Sequence, residues 1–542
     1  MKKYSGNIVD VLNEKVFPGT IYVEDQRIVK IVKEYVEYET FILPGFIDAH
    51  IHIESSLLPP SEFARIAVVH GTVACVADPH EIANVLGIDG VKYMIEDGKK
   101  VPFHFYFSAP SCVPATCMET SGAKITADDI KKLILDGEVK YLGEMMNFPG
   151  VIHEHKDVLE KLKVAKRYKL PIDGHAPGLT GEELKKYVEQ GISTDHESFT
   201  QEEALEKLKL GMKILVREGS AAKNFDELIP LADEYYDKMM FCSDDKHPND
   251  LINSHINKMV KMAISKGISA MKTLKMACVN PVLHYNLDSG LLQQGDYADF
   301  IEVNDLHKFE ILRTVIKGEV VAENNTTNIP FVPSEIINNF NISKKSLSDC
   351  FVKDISKPVK VIKTMDQQLM TNKDTFVLKS RDGNLVSDVE NDVLKITVIN
   401  RYFDAKPAIS FIKGFGLKEG AMGSSIAHDS HNIIVVGTSD AEICDAANLI
   451  IENKGGIVFV NHRKGIKEIL PLPIAGLMSN LPYDEVAEKY DNLDILAKIH
   501  GSKLASPYMT LSFMALLVIP SLKLSDRGLF DGEMFELVDI YA

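Results

Sequence analysis

The chain runs to 542 residues with 45% apolar and 25% charged content and a formal net charge of −17. That length buries several cores, which excludes a small stapled scaffold and suggests two to four domains, and the acidity argues against a nucleic-acid scaffold. Seven cysteines (Cys75, Cys112, Cys117, Cys242, Cys278, Cys350 and Cys444) include no CxxC pair, so a disulfide framework or zinc ribbon is not expected and a reducing, cytoplasmic compartment fits. Residues Met1 to Val9 have no apolar leader core, and Met509 to Ile519 is too short to span a bilayer before Pro520, so no membrane association is expected.

Residues 1–42 alternate apolar and polar positions in short runs such as Gly19 to Glu24 and Arg27 to Val32, a pattern of small β strands. The same pattern returns at Gly295 to Val303 and Val315 to Ala322, so the two flanks are expected to pair as one β-sandwich built around an inserted domain. Between them lie eight apolar, β-rich runs: Phe46 to Ile53, Thr72 to Ala77, Phe103 to Ser108, Val139 to Met145, Leu170 to His175, Ile192 to His196, Met212 to Val216 and Met239 to Ser243. Helical patterns such as Val158 to Tyr168 and Gly181 to Gln190 separate them. The α/β alternation predicts a (β/α)8 barrel over 43–285, with its active site at the C-terminal strand ends. The second sandwich segment then covers 286–344, with Asn324 to Asn341 as the linker. The remainder, 345–542, reads as an α+β domain, with strands at Asp392 to Val398 and Ile433 to Val436 and a helix at Ala441 to Asn453. The stretch Gly414 to Gly420 lacks the spacing and following lysine of a phosphate loop and reads as a turn.

The first barrel strand ends in His50-Ile-His52, and side chains two apart on a strand share a face, so both imidazoles can reach one metal. Alone, such a pair is more often two ordinary packing histidines. The other ends change the weighing: Glu144 closes strand four, His175 strand five, His196 strand six and Asp244 strand eight. Asp173 and Asp195 sit just before ligand candidates and are expected to face away or support them. Asp245 should point to the opposite face if the strand continues through it.

This order of HxH, a strand-four carboxylate, His, His and Asp resembles the amidohydrolase superfamily. Many of its members carry a carboxylated lysine on strand four; here Lys140 lies further back and Glu144 takes the end. The strings Pro44 to Ser56, Val76 to Gly87, Gly143 to Gly150, Asp173 to Gly178, Arg217 to Ala222 and Ala427 to Asn432 look like the adenine deaminase family in particular, and the resemblance covers nearly the whole chain.

That resemblance implies hydrolysis of adenine to hypoxanthine and ammonia, with two divalent ions, manganese or iron with zinc as an alternative, and a homodimer. It implies His50, His52, His175, His196 and Asp244 as metal ligands, Glu144 as a bridging carboxylate, and Asp244 as proton shuttle. Asp78, His80 and Glu81 would read the purine edge or protonate a ring nitrogen; their bland reading is a helix N-terminus. Arg217, Glu218 and Ser220 are weaker substrate-side candidates. His428, Asp429 and His431 either cover the barrel mouth or form a polar loop. Two other readings stay open: another base or cyclic amide as substrate, and a noncatalytic metal-binding protein. The HxE of His52 and Glu54 is followed by no PCxxC, which sets aside the zinc deaminases acting on nucleic acid.

Overall fold

The structure is a computed structural model describing residues 1–37 and 39–542. Its centre is a closed barrel of eight parallel strands: Phe46–Ile51, Thr72–Ala77, His104–Ala109, Val139–Met145, Ile172–Gly174, Thr194–Asp195, Lys213–Arg217 and Met239–Cys242. Strands one to five form one ladder and six to eight another. The Ser193 amide closes one seam on the Ile172 carbonyl at 2.9 Å, and the Asp244 amide closes the other on the His50 carbonyl at 3.0 Å. Strands five and six are shorter than the apolar runs suggest. The Thr194 hydroxyl accepts from the Gly174 amide (3.2 Å) and donates to Asp173 (2.8 Å), so a side chain replaces the next rung of backbone pairing.

Amphipathic helices ring the barrel because their apolar faces have only the strands to cover them. Local capping sets where several begin: a reciprocal capping box of Thr126 and Asp129 starts Ala127–Leu135, and Thr200 caps Gln201–Lys209. The seam that carries the chemistry is also pinned by a buried side chain. The Asp48 carboxylate on strand one accepts from the Ser243 amide (3.0 Å) and hydroxyl and lies 2.8 Å from His255 Nε2, whose other nitrogen contacts the Thr72 hydroxyl at 2.7 Å.

Both chain segments flanking the barrel contribute to one eight-stranded sheet. Phe41–Pro44 lies parallel to Lys2–Asp10 and antiparallel to Phe300–Val303, which joins the two flanks. The sheet folds back on itself, so that Lys2 Nζ reaches the Gly318 carbonyl at 3.0 Å, and Ile8, Ile21, Ile42, Phe300 and Val315 fill the fold.

The C-terminal region holds a mixed eight-stranded sheet containing Val393–Ile399 and Ile433–Gly437, and the helix Asp440–Asn453 starts on a Ser439 cap. At the glycine-rich stretch, Asp392 accepts from the Gly414 and Gly416 amides at 2.9 and 2.7 Å, which makes it a turn. The segment expected as a linker crosses between domains as a docked strap. Its Ile329 carbonyl accepts from Arg65 (3.0 Å), Ser334 donates to Asp97 (2.8 Å), Asn339 donates to the Val85 carbonyl (3.1 Å) and the Ile337 carbonyl accepts from Ala475 (2.7 Å). Among the described residues no helix is long and apolar enough to cross a membrane.

Replacing Asp48 with Ala strands His255 and Ser243 without their acceptor and should cost about 2–3 kcal/mol, the desolvation penalty of buried unpaired donors. Chemical denaturation read by far-ultraviolet circular dichroism measures it, and an unshifted first transition would contradict this role.

Candidate metal centre

Six strand-end residues expected to meet at the barrel mouth are brought within one buried cluster. His52 Nε2 lies 3.2 Å from both Glu144 Oε1 and Asp244 Oδ1, and His50 Nε2 lies 3.5 Å from the same Asp244 oxygen. On the other side, Glu144 Oε2 is 2.9 Å from His175 Nδ1 and 3.3 Å from His196 Nε2. The His50 and His196 rings stack with centroids 4.2 Å apart. Three overlapping donor sets result: His50, His52 and Glu144; His50, His196 and Asp244; and Glu144, His175 and His196.

The donor chemistry and charge balance suit divalent cations. Both ring nitrogens of His50 and the Nε2 of His175 are buried without a hydrogen-bond partner. His52 Nδ1 faces the Asp78 carbonyl at 3.0 Å, which favours the tautomer whose Nε2 lone pair points at the cluster. Burial opposes ionisation of Glu144 and Asp244, yet His175 and its neighbours, and for Asp244 chiefly Arg217, hold both carboxyls well below their ordinary range. Burial likewise opposes charge on the imidazoles, but Asp173 and Asp244 raise His50 to about 10, and Glu197 and Glu144 raise His175 to about 9. The field of the cluster calls for positive charge.

A surrounding layer explains several other polar residues and corrects some expectations. Asp78 does not reach the cavity. Its carboxylate accepts from the Glu144 amide at 2.9 Å and the Ser108 hydroxyl at 2.7 Å, and it does not cap the helix His80–Leu86. Any side chain at Gly143 would collide with it, so this glycine permits the close approach. Asp173 accepts from Tyr285 (2.9 Å) and Thr194, while Asp195 accepts from Lys207 at 2.9 Å and from the Ala176 amide.

Arg217 is likewise not free to meet a substrate: its guanidinium is shared between Glu197 and Asp244 Oδ2, the latter at 2.6 Å. Ser220 turns away and donates to Asp250 at 2.5 Å while accepting from the His247 amide. Glu218 pairs with Lys258 at 3.3 Å. Asp245 does line the cavity, contrary to strand alternation, because the strand ends at Cys242 and Asp244 adopts a left-handed backbone with φ 53°. The Ser55 hydroxyl donates to Asp245 at 2.5 Å. Glu197, adjacent to His196, was not singled out from the sequence, although it lies 3.5 Å from His196 Nε2 and lines the cavity; only its position after a ligand candidate hinted at it.

The far wall comes from two domains. His80 lies 3.5 Å from both Glu144 Oε1 and Glu81 Oε1. Glu81 is gripped by His428, 2.8 Å from Oε1, and by His431 on its other oxygen. His428 and His431 therefore belong to a cover over the barrel mouth, completed by Leu369, Phe513 and Leu516. The cavity is small, about 30 Å3. Beside the cover, the Ser430 hydroxyl donates to Glu119 at 2.5 Å. Burial, then repulsion from Asp429, raises the Glu119 carboxyl to about 8.

Residues 41–321 match the amidohydrolase family model and residues 368–536 the adenine deaminase C-terminal domain model. The chain is 54% identical over 534 residues to an adenine deaminase of Sulfurovum sp., covering 98% of each chain. It is 50% identical to those of Salinibacter ruber, covering 99% of this chain and 98% of that one, and of Methanosarcina mazei, covering 100% of both.

An acid whose folded pKa exceeds its ordinary value of 4.5 favours folding below that value, and the contribution is lost as pH rises through about 8. A Glu119→Gln chain should therefore melt above the parent at pH 9 and no higher at pH 5. Thermal melts across that range check it, and parallel curves would refute the sign.

Proposed function

The chain belongs to the adenine deaminase family of amidohydrolases and hydrolyses adenine to hypoxanthine and ammonia; from that premise we propose how its own side chains divide the work. The observation carrying the proposal is the meeting of Asp244, Glu144 and four imidazoles at one rim, opposite a His80–Glu81 wall. His50, His52 and Asp244 would hold one divalent ion and His175 and His196 a second, with Glu144 shared. Manganese or iron, or else zinc, suits these nitrogen and oxygen donors. Such an ion lowers the pKa of bound water to about 7, which supplies a nucleophile at neutral pH.

C6 of adenine is amidine-like, and its amine departs only after water has added and the nitrogen has been protonated. Asp244 Oδ1 takes one proton of that water and returns it to the exocyclic nitrogen, so the C6–N bond breaks as ammonia forms, and the remaining hydroxyl proton ends on the ring nitrogen beside the new carbonyl of hypoxanthine. Arg217 acts through Asp244: by occupying Oδ2 it keeps Oδ1 turned toward His50 and His52. His80 donates to a ring nitrogen of the base, Glu81 orients His80, and His428 and His431 fix Glu81 from the cover. Closing the cover excludes water and strengthens each of these interactions.

The reading extends to a cytoplasmic homodimer. Seven free thiols support the compartment, and mass in solution tests the dimer. A cyclic amide substrate or a purely metal-binding role is not favoured, since relatives matching end to end share the deaminase name.

Ammonia release should occur with adenine and not with guanine, cytosine or adenosine, and dihydroorotate, followed by loss of its ring absorbance, should stay intact; release from adenosine but not adenine would overturn the substrate. Asp244→Asn should keep its metal, measured by elemental analysis, and lose about 10²- to 10⁴-fold in kcat, the range of a positioned proton-transfer group. Undiminished turnover would remove Asp244 as the shuttle.

A further inference from the structure

Lys523 lies on the strand Leu522–Ser525 of the C-terminal region, with no exposed surface. Its ammonium donates to two backbone carbonyls, of Leu369 at 2.6 Å and of Phe513 at 2.9 Å. Burial, its only resolved cause, lowers its pKa to about 7. An ammonium withdrawn from water without a counter-charge is costly, so the two carbonyl dipoles are its compensation. One is well suited to this. Phe513 ends the helix Pro507–Phe513, where the helix dipole favours a cation, and its carbonyl also accepts from the Leu516 amide at 3.2 Å.

Both acceptors belong to residues that roof the metal cavity. The Phe513 ring stacks on His428, with centroids 4.6 Å apart and planes 17° apart, and His428 in turn holds Glu81. The same strand is joined to both roof segments on either side of Lys523. The Leu524 amide donates to the Met514 carbonyl at 2.9 Å, and the Thr371 hydroxyl donates to the Leu522 carbonyl at 2.8 Å. Leu369 and Phe513 are remote in sequence, and the one ammonium bridges their backbones directly, beside the strand's own bonds to both segments. They line one side of the small cavity, about 30 Å3, over the barrel mouth. A flat base lying in this cavity has its ring against these apolar side chains.

We propose that Lys523 is a positioning residue for substrate: by gripping the Leu369 and Phe513 carbonyls it sets the apolar roof against which the purine ring packs, and so governs binding of the base more than its chemistry. The proposal rests on the adenine reading above. It assigns the C-terminal domain a part in selecting a flat heteroaromatic base, in addition to covering the barrel.

Lys523→Met keeps the length of the side chain and removes both hydrogen bonds. It should raise KM for adenine about tenfold or more, since two hydrogen bonds are lost, with kcat and metal content unchanged. Lys523→Gln, which keeps a neutral donor, should fall between the parent and Lys523→Met, and it decides the matter by the same split if Lys523→Met does not fold. In a Phe513→Ala background, Lys523→Met should add less to KM than in the parent, because the ring it chiefly positions is gone; a generally destabilising lesion would add its full effect. Unchanged KM in both variants, or a fall in kcat at constant KM from a smaller active fraction, would overturn the proposal while leaving adenine deamination intact. A parent chain that releases no ammonia from adenine would sink both readings.

Discussion

Carboxylates withdrawn from water stay ionised only where cations or donors meet each oxygen, and this constraint organises the whole barrel mouth. Glu144 faces His52 and His80 with one oxygen and His175 and His196 with the other. Asp244 turns Oδ1 to His50 and His52 and Oδ2 to Arg217. Glu81 is held by His428 on one oxygen and His431 on the other. Anions and imidazoles alternate around the rim, so each side chain depends on neighbours delivered by different strands. With the imidazoles neutral, Arg217 alone among these partners carries a fixed positive charge. The same field that raises His50 and His175 is met by divalent ions when the imidazoles serve as neutral ligands, which is the physical case for metal.

Meeting that constraint takes all parts of the chain. Strand ends deliver the inner residues, and Asp48 ties strand one to the strand that ends near Asp244. The C-terminal region supplies His428 and His431 on one side of Glu81 and an apolar roof above, while the strap over 329–341 holds that region against the barrel. The cover thus has two kinds of contact: ionic through Glu81, and apolar through Leu369, Phe513 and Leu516. The first holds a barrel carboxylate in place, and the second excludes water from it.

Where local reasoning and the structure part, the cause is identifiable at each residue. Strand alternation predicts Asp245 on the outer face, but alternation ends where the strand ends, and a left-handed Asp244 returns the next side chain to the cavity. Arg217 and Ser220 have the chemistry to bind a base, yet both terminal guanidinium nitrogens are taken by Glu197 and Asp244 and the hydroxyl by Asp250. Asp78 has the right type and position for a cap or a catalytic acid, and instead fixes the backbone of Glu144.

The sequence by itself determined the barrel, since eight buried β-rich runs separated by amphipathic helices have few other ways to cover their apolar faces. It also named the inner donors, because His50, His52, Glu144, His175, His196 and Asp244 fall at strand ends, where a barrel gathers side chains. Only the tertiary structure decided which polar groups are spent on one another, that Glu197 and Asp245 join the cavity, and that His428 and His431 reach Glu81 of the barrel from hundreds of residues away. The reason is range. Periodicity reports which face a side chain takes within its own element, whereas the partner that consumes a hydrogen bond or a charge arrives from another element, at a distance set by packing alone.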